Sequence, residues 1–208
     1  MMTGLALAGC TSKNPFFSEF ENQYGIPPFE SIKSEHFMPA FKEGIKQQQA
    51  EYDAIANNKD SATFANTIEA LELSGKLLQK VSGVFSNRYS AETNAELDTI
   101  ANEISPLLSE HADNLYLNDA IFARVKTLYN NRENLNLNQE QNRILEKYYK
   151  NFVRSGADLS VADKGKLREI NKKLSKAELT FGQNLLADNN AYQKFVTNKE
   201  ELKGLPES

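Results

Sequence analysis

The sequence predicts an all-α protein built as an antiparallel helical bundle, and three observations carry that prediction. Apolar residues recur three and four positions apart in most segments after residue 34. Helix-start signals stand in front of several of those stripes. No alternating run of strand length, and no internal repeat of roughly 20 to 50 residues, interrupts them.

The elements follow in chain order. Asn14 to Ser34 has neither period: Pro15, Gly25, Pro27 and Pro28 block regular structure, and Phe16, Phe17, Phe20, Tyr24 and Phe29 are expected to pin an extended segment onto the folded body. Pro39 suits a first helical position, and Phe41, Ile45, Tyr52 and Ile55 then share one face as far as Ala56, before Asn57-Asn58 stops the helix. A second helix is predicted from Thr63 to Tyr89 on the stripe Phe64, Ile68, Leu71, Leu78, Val81 and Phe85. Its interior Gly75 and Gly83 each cost about 1 kcal/mol relative to Ala, which points to close helix packing at both.

Thr93-x-x-Glu96 reads as a capping box opening a third helix through Ile100, Ile104, Leu107 and Leu108 to about His111, with Pro106 kinking or breaking it. Asn118 caps a short helix that turns Ile121, Phe122, Val125 and Leu128 inward. Beyond an Asn-rich loop, Ile144-Leu145, Tyr148-Tyr149 and Phe152-Val153 repeat every four residues and end at Gly156. Ser160-x-x-Asp163 starts the longest helix. Its stripe Leu167, Ile170, Leu174, Ala177, Phe181 and Leu185, spaced near 3.5, favours antiparallel, coiled-coil-like packing against a neighbour.

A chain of 208 residues with 40% hydrophobic and 25% charged residues has the composition of a folded globular protein. Its 24 basic and 28 acidic residues are interleaved, giving a net charge of −4 and no long-range attraction to phosphate backbones, so nucleic acid is not an expected partner. The basic run Lys164 to Lys176 carries acids and an apolar stripe and reads as the solvated face of a helix.

The single cysteine, Cys10, has no partner for a disulfide and no cluster of Cys and His for a zinc site. Leu7-Ala8-Gly9-Cys10 instead resembles the lipobox of bacterial lipoproteins, in which cleavage after small residues leaves a cysteine that carries the lipid. Thr11-Ser12-Lys13-Asn14 would follow as a polar tether. Only nine residues precede Cys10 and none is basic, so residues 1–13 read as a truncated lipoprotein signal and tether, with the recorded start inside a longer signal.

Catalytic constellations are missing. The sequence has no H-E-x-x-H, which would put two zinc ligands and a base on one helix face, and no glycine-rich phosphate loop. Glu35-His36 and Glu110-His111 each lack a second ligand four residues on and read as helix-end or satisfied buried imidazoles.

Several phrases nevertheless occur in a telling order. They are Glu35-His36-Phe37-Met38-Pro39-Ala40-Phe41 with Gly44, Thr63-Phe64-Ala65-Asn66-Thr67-Ile68-Glu69-Ala70-Leu71-Glu72, Ser74-Gly75, and Pro106-x-x-x-x-His111. Leu117-Asn118, Phe152-Val153-Arg154-Ser155-Gly156-Ala157, Ile170-Asn171-x-x-Leu174-Ser175, Phe181-Gly182-x-Asn184 and Leu202-x-Gly204-Leu205-Pro206 follow. From about Asn14 to the C-terminus the chain resembles the N-terminal region of the peptidyl-dipeptidases, or dipeptidyl carboxypeptidases, of the thimet oligopeptidase-like zinc metallopeptidases. The oligopeptidase A branch is the near rival.

That resemblance implies the N-terminal lobe of a neurolysin-like, almost wholly helical fold, in which residues 14–208 wall and roof the entrance to a deep substrate channel. In the family the zinc lies on a later region, held by two His and a Glu, with the Glu of H-E-x-x-H as general base. No metal or catalytic residue is therefore assigned to this chain. The resemblance implies zinc in the full-length family and a catalytic domain as the expected missing partner. The resemblance implies release of C-terminal dipeptides from short peptides by the complete enzyme, with this lobe inactive alone. The lipobox-like stretch ending in Cys10 implies a lipid-anchored, periplasmic place in the bacterial cell envelope. The rival class is a stand-alone helical lipoprotein that binds peptides or a partner without catalysis. A severed lobe would present a large apolar face, whereas an independent module would have covered it.

Overall fold

The computed structural model describes residues 14–204. Among them every regular element is helical, as the periodicity predicts. The long elements are α1 (Ser34–Asn57), α3 (Lys76–Ala91), α4 (Ala95–Tyr116), α5 (Asp119–Asn130), α6 (Gln139–Arg154) and α7 (Val161–Ala191); α2 is a single turn, Ala70–Glu72. Tyr52, Arg88 and the bulk of the apolar stripes lie on these helices, and Cys10 lies outside the described residues.

Helix α1 begins five residues before Pro39. The Lys33 backbone N–H donates to His36 Nδ1 (3.0 Å), so an imidazole closes the first turn and Pro39 sits inside the helix. The Glu35-His36 pair is thus a helix-start device. Of the aromatics before α1, Phe16 is fully buried and Phe20 packs beside it, while Phe17, Tyr24 and Phe29 face solvent. Two rings, rather than five, pin the segment.

The helix predicted from Thr63 to Tyr89 is broken. Thr63 and Asn66 cap one another across a π-helical turn, Phe64–Glu69, which runs into α2 and stops at Leu73. Gly75 then takes a φ of +72°, the left-handed region that an L side chain rarely adopts, and precedes α3. Its N–H donates to Glu51 Oε2 at 2.7 Å, and a Cβ there would strike the Gln48 side chain at 2.2 Å. So Gly75 breaks the helix between α2 and α3. Gly83 has nothing within 4 Å of where a Cβ would stand, and the close helix approach falls at Gly44, whose Cβ would meet the Leu78 backbone at 2.9 Å.

Helix α4 starts one residue later than Thr93 would place it. Asn94 Oδ1 accepts from the N–H groups of Glu96 and Leu97, while the Thr93 hydroxyl turns back to the Tyr89 carbonyl. The helix then passes through Pro106 and continues to Tyr116, because both ends are held by packing that outweighs one missing backbone bond. Asn118 caps α5 and buries Ile121, Phe122, Val125 and Leu128 as expected. Helix α6 ends in a Schellman motif: Ala157 N–H donates to Phe152 O (3.0 Å), Gly156 N–H to Val153 O (3.1 Å), and Gly156 has a φ of +91°.

Two apolar clusters result. Phe16, Ile32, Phe37, Phe41, Val81, Phe85, Leu97, Ile100 and Ile104 form one, where α1, α3 and the first half of α4 meet. Tyr52, Ile55, Ile68, Leu115, Ile121, Phe122, Leu145 and Phe152 form the other, around the second halves of α1 and α4 with α5 and α6. Gly44 against Leu78 and Phe37 against Phe85 set α1 antiparallel to α3.

Candidate functional site

The surface that stands out is the outer face of α7, and it depends on how that helix is seated. Ser160 Oγ accepts from the Asp163 N–H at 3.1 Å and starts the helix where the sequence puts it. From there a row of polar residues turns inward, Lys164 onto the α4–α5 junction and Arg168, Asn171, Ser175 and Gln183 onto α4. Lys164, only 6% exposed, donates to Leu117 O (3.3 Å) and Asp119 Oδ1 (2.5 Å). Arg168 donates to Asn114 Oδ1 (3.0 Å) and Asp113 O (3.3 Å), and Asn171 Nδ2 to Asp113 Oδ1 (2.7 Å). Ser105 Oγ donates to Ser175 O, and Gln183 Nε2 to Asp98 Oδ1 at 3.0 Å. Partners fall in α4 as they rise in α7, so the two helices run antiparallel.

That seating corrects the expected packing. Antiparallel contact exists, but it is made by the polar row with only Leu167 and Leu179 beside it, whereas the 3.5-spaced apolar stripe points elsewhere. Ile170 is 58% exposed, Leu174 50%, Phe181 69% and Leu185 51%. Downstream, Tyr192 and Phe195 are also exposed. A polar seam contributes register more than net attraction, because each desolvated group consumes much of what its bond returns. This exposed apolar row makes the outer face of α7 the candidate surface. Beside it, Ala112, Tyr116, Arg154, Leu167, Leu174 and Glu178 line a groove of about 420 Å³. Two members of the basic run predicted to be solvated are not: Lys164 is buried and paired and Arg168 is half-buried against α4, while Lys172, Lys173 and Lys176 are exposed.

A second cluster of titratable groups lies where α1, α2, α4 and α6 meet. His111 Nε2 is 2.8 Å from Gln48 Oε1, its ring stacks on Tyr52 with centroids 5.3 Å apart, and its Nδ1 is buried without a partner. Gln48 in turn donates to Ser74 Oγ. Burial pulls the His111 imidazole below its ordinary value. It pushes the Tyr52 phenol up to about 12, helped by Tyr116 and Glu51, and raises Tyr148, which also has the Glu72 carboxylate beside it. At neutral pH these groups therefore sit as neutral imidazole and neutral phenols, stacked and hydrogen-bonded between the helices.

The two histidines do not converge. His36 lies at the start of α1 and His111 meets α1 at Gln48, twelve residues on, which is about 18 Å along the helix. Among the described residues no three His, Cys, Asp or Glu side chains form a group that could hold a metal ion. Residues that the sequence reading passed over include Asp113, buried with one carboxylate oxygen unpartnered, and Arg124. Arg124 clamps the loop before α2 through Asn58 O, Asp60 O, Asn66 Oδ1 and Thr67 Oγ1. A signal for the seam existed, since Lys164, Arg168, Asn171 and Ser175 recur at intervals of four, three and four.

No family model matches the chain. Individual proteins do. It is 40% identical to a dipeptidyl carboxypeptidase of Escherichia coli over 197 residues, which covers 95% of this chain and 29% of that protein. It is 37% identical to the dipeptidyl carboxypeptidase of Salmonella typhimurium over 194 residues, 93% of this chain and 28% of the relative. Oligopeptidase A of Escherichia coli is 25% identical over 195 residues, 94% of this chain and 28% of the relative. The chain thus spans less than a third of the length of these curated relatives. It is homologous to the N-terminal region of dipeptidyl carboxypeptidase, with oligopeptidase A at greater distance, as the ordered phrases imply.

Proposed function

We propose that this chain acts as the N-terminal helical lobe of a zinc peptidyl-dipeptidase, contributing wall and roof to a channel that admits short peptides, and that it does not cleave them alone. The observation that carries the reading is the 40% identity extending over 95% of the chain but only 29% of a dipeptidyl carboxypeptidase. The uncovered α7 face supports it over the stand-alone lipoprotein, which would need that face closed. The stack of His111 on Tyr52 and its bond to Gln48 support a packing role for this cluster. In the complete enzyme, zinc would polarise the scissile carbonyl and activate water from a site on the later region.

The test is direct. The purified chain, loaded with equimolar zinc and given an N-blocked pentapeptide, is expected to release no dipeptide by mass spectrometry and to retain no zinc after desalting. Chelator-sensitive dipeptide release with stoichiometric zinc would overturn the reading. The envelope location is proposed on Leu7-Ala8-Gly9-Cys10. Expressed in bacteria behind a complete signal, the protein is expected in the membrane fraction, and Cys10→Ser is expected to move it to the soluble periplasm. Equal partitioning of both would refute lipidation at Cys10.

A further inference from the structure

We infer that the apolar stripe of α7 is the seat of a helix from the part of the enzyme beyond the matched region, so that this face joins the lobe to its catalytic partner. The inference rests on the peptidase-lobe reading and specifies where the two parts meet. Three observations converge on it. First, α7 is already fixed on one side by the polar seam to α4, so the stripe Ile170, Leu174, Phe181 and Leu185 is rigidly presented without being used inside the described residues. Second, the four residues keep heptad-like spacing over fifteen positions, about 22 Å of helix, which is the footprint a partner helix fills by knobs-into-holes packing. Third, the homologous enzymes carry more than two thirds of their length beyond this region, enough to supply such a helix.

The chemistry of the occupant can be stated. It presents an apolar row to the stripe and an acidic residue beside Lys173, an exposed cation that flanks the row and has no ion pair among the described residues. The groove next to Leu167 and Leu174 holds both Arg154 and Glu178, so side chains entering there meet one charge of each sign. Charged residues on the stripe would be excluded, because a carboxylate buried between two apolar rows has nothing to pair with.

The experiment compares Leu174→Glu/Phe181→Glu in two settings. One is the 208-residue chain; the other is a chimaera in which residues 14–208 replace the matching stretch of the Escherichia coli dipeptidyl carboxypeptidase. In the chain alone the double variant is expected to keep the thermal midpoint within about 2 °C, since both side chains are solvent-exposed. In the chimaera it is expected to lower the midpoint by more than about 5 °C and chelator-sensitive activity at least tenfold. Lys172→Glu/Lys176→Glu, outside the stripe on the same helix, is expected to leave both unchanged. A chimaera that tolerates the stripe charges overturns the inference and leaves the lobe reading intact. A chain that melts earlier with them overturns it too, as would a chain that dimerises through the stripe while the chimaera tolerates the charges. An inactive unsubstituted chimaera that is folded counts against the lobe reading itself.

Discussion

Two glycines inside helices give the sharpest test of how this bundle is packed, because one chemical change should act in opposite directions. Gly44 in α1 and Gly83 in α3 both interrupt helical stripes, and replacing either by Ala removes a helix-interior glycine, a gain of about 1 kcal/mol from propensity alone. At Gly83 nothing lies within 4 Å of the new methyl, so that gain stands. At Gly44 the methyl arrives 2.9 Å from the Cα and N of Leu78 and 3.1 Å from its Cβ. Those are backbone atoms of the facing helix, and they cannot rotate away. Either α1 and α3 separate along their whole contact, loosening Phe37, Phe41 and Phe85, or the clash persists; overpacking of this kind costs about 1–3 kcal/mol. The expected difference between Gly44→Ala and Gly83→Ala is therefore about 1–3 kcal/mol in favour of the latter. At about 2–4 °C per kcal/mol for a chain of this size, thermal unfolding followed by circular dichroism resolves it easily. Gly83→Ala should melt above wild type. If Gly44→Ala proved as stable as Gly83→Ala, the α1–α3 crossing described here would be wrong.

Other expectations follow from single contacts. Arg124→Lys keeps the charge but loses the planar fork that reaches two carbonyls, an amide and a hydroxyl at once. A loss of about 2–3 kcal/mol in urea denaturation is expected, with faster proteolysis between residues 58 and 66, and a change below about 0.5 kcal/mol would show the clamp to be incidental. Burial lowers the His111 pKa, so between that value and the unfolded value of about 6.5 the unfolded chain binds more protons. The corresponding stability is present above about pH 6.5 and lost as pH falls through the folded pKa. His111→Phe, which keeps a ring against Tyr52, should remove that part of the acid sensitivity; parallel stability–pH curves for the two proteins would refute it. Lys164→Met is expected to lie within about 1 kcal/mol of wild type despite losing a buried ion pair, because Asp119 is 77% exposed and regains water while the lysine's desolvation cost disappears. A loss above about 3 kcal/mol would mean the pair is a net stabiliser.

The helical class and the inward face of α5 were legible because they follow from periodicity and caps, which are local; of the α6 pairs Leu145 and Phe152 are buried, Ile144, Tyr148 and Tyr149 half-buried, and Val153 is exposed. Ile121, Phe122, Val125 and Leu128 needed only Asn118 and a 3.6 period. What escaped was set by contacts far apart in sequence. The break at Gly75 is fixed by Glu51 and Gln48, more than twenty residues earlier, and the start of α1 by a histidine acting as a cap where a proline looked the better signal. The candidate surface was half readable. Its apolar stripe was evident in the sequence, but an apolar stripe says only that something should cover it, and the equally periodic polar row proved to be the side that packs within the described residues. Asp113 and Arg124 carry no local pattern, since each acts through partners on other helices.

The most direct measurement of the central claim is the activity of the chimaera carrying residues 14–208 in the Escherichia coli enzyme, assayed beside the isolated chain on one N-blocked peptide. Chelator-sensitive release of the C-terminal dipeptide is expected from the chimaera and none from the chain alone. A folded chimaera without activity, or an isolated chain that releases the dipeptide, would contradict it.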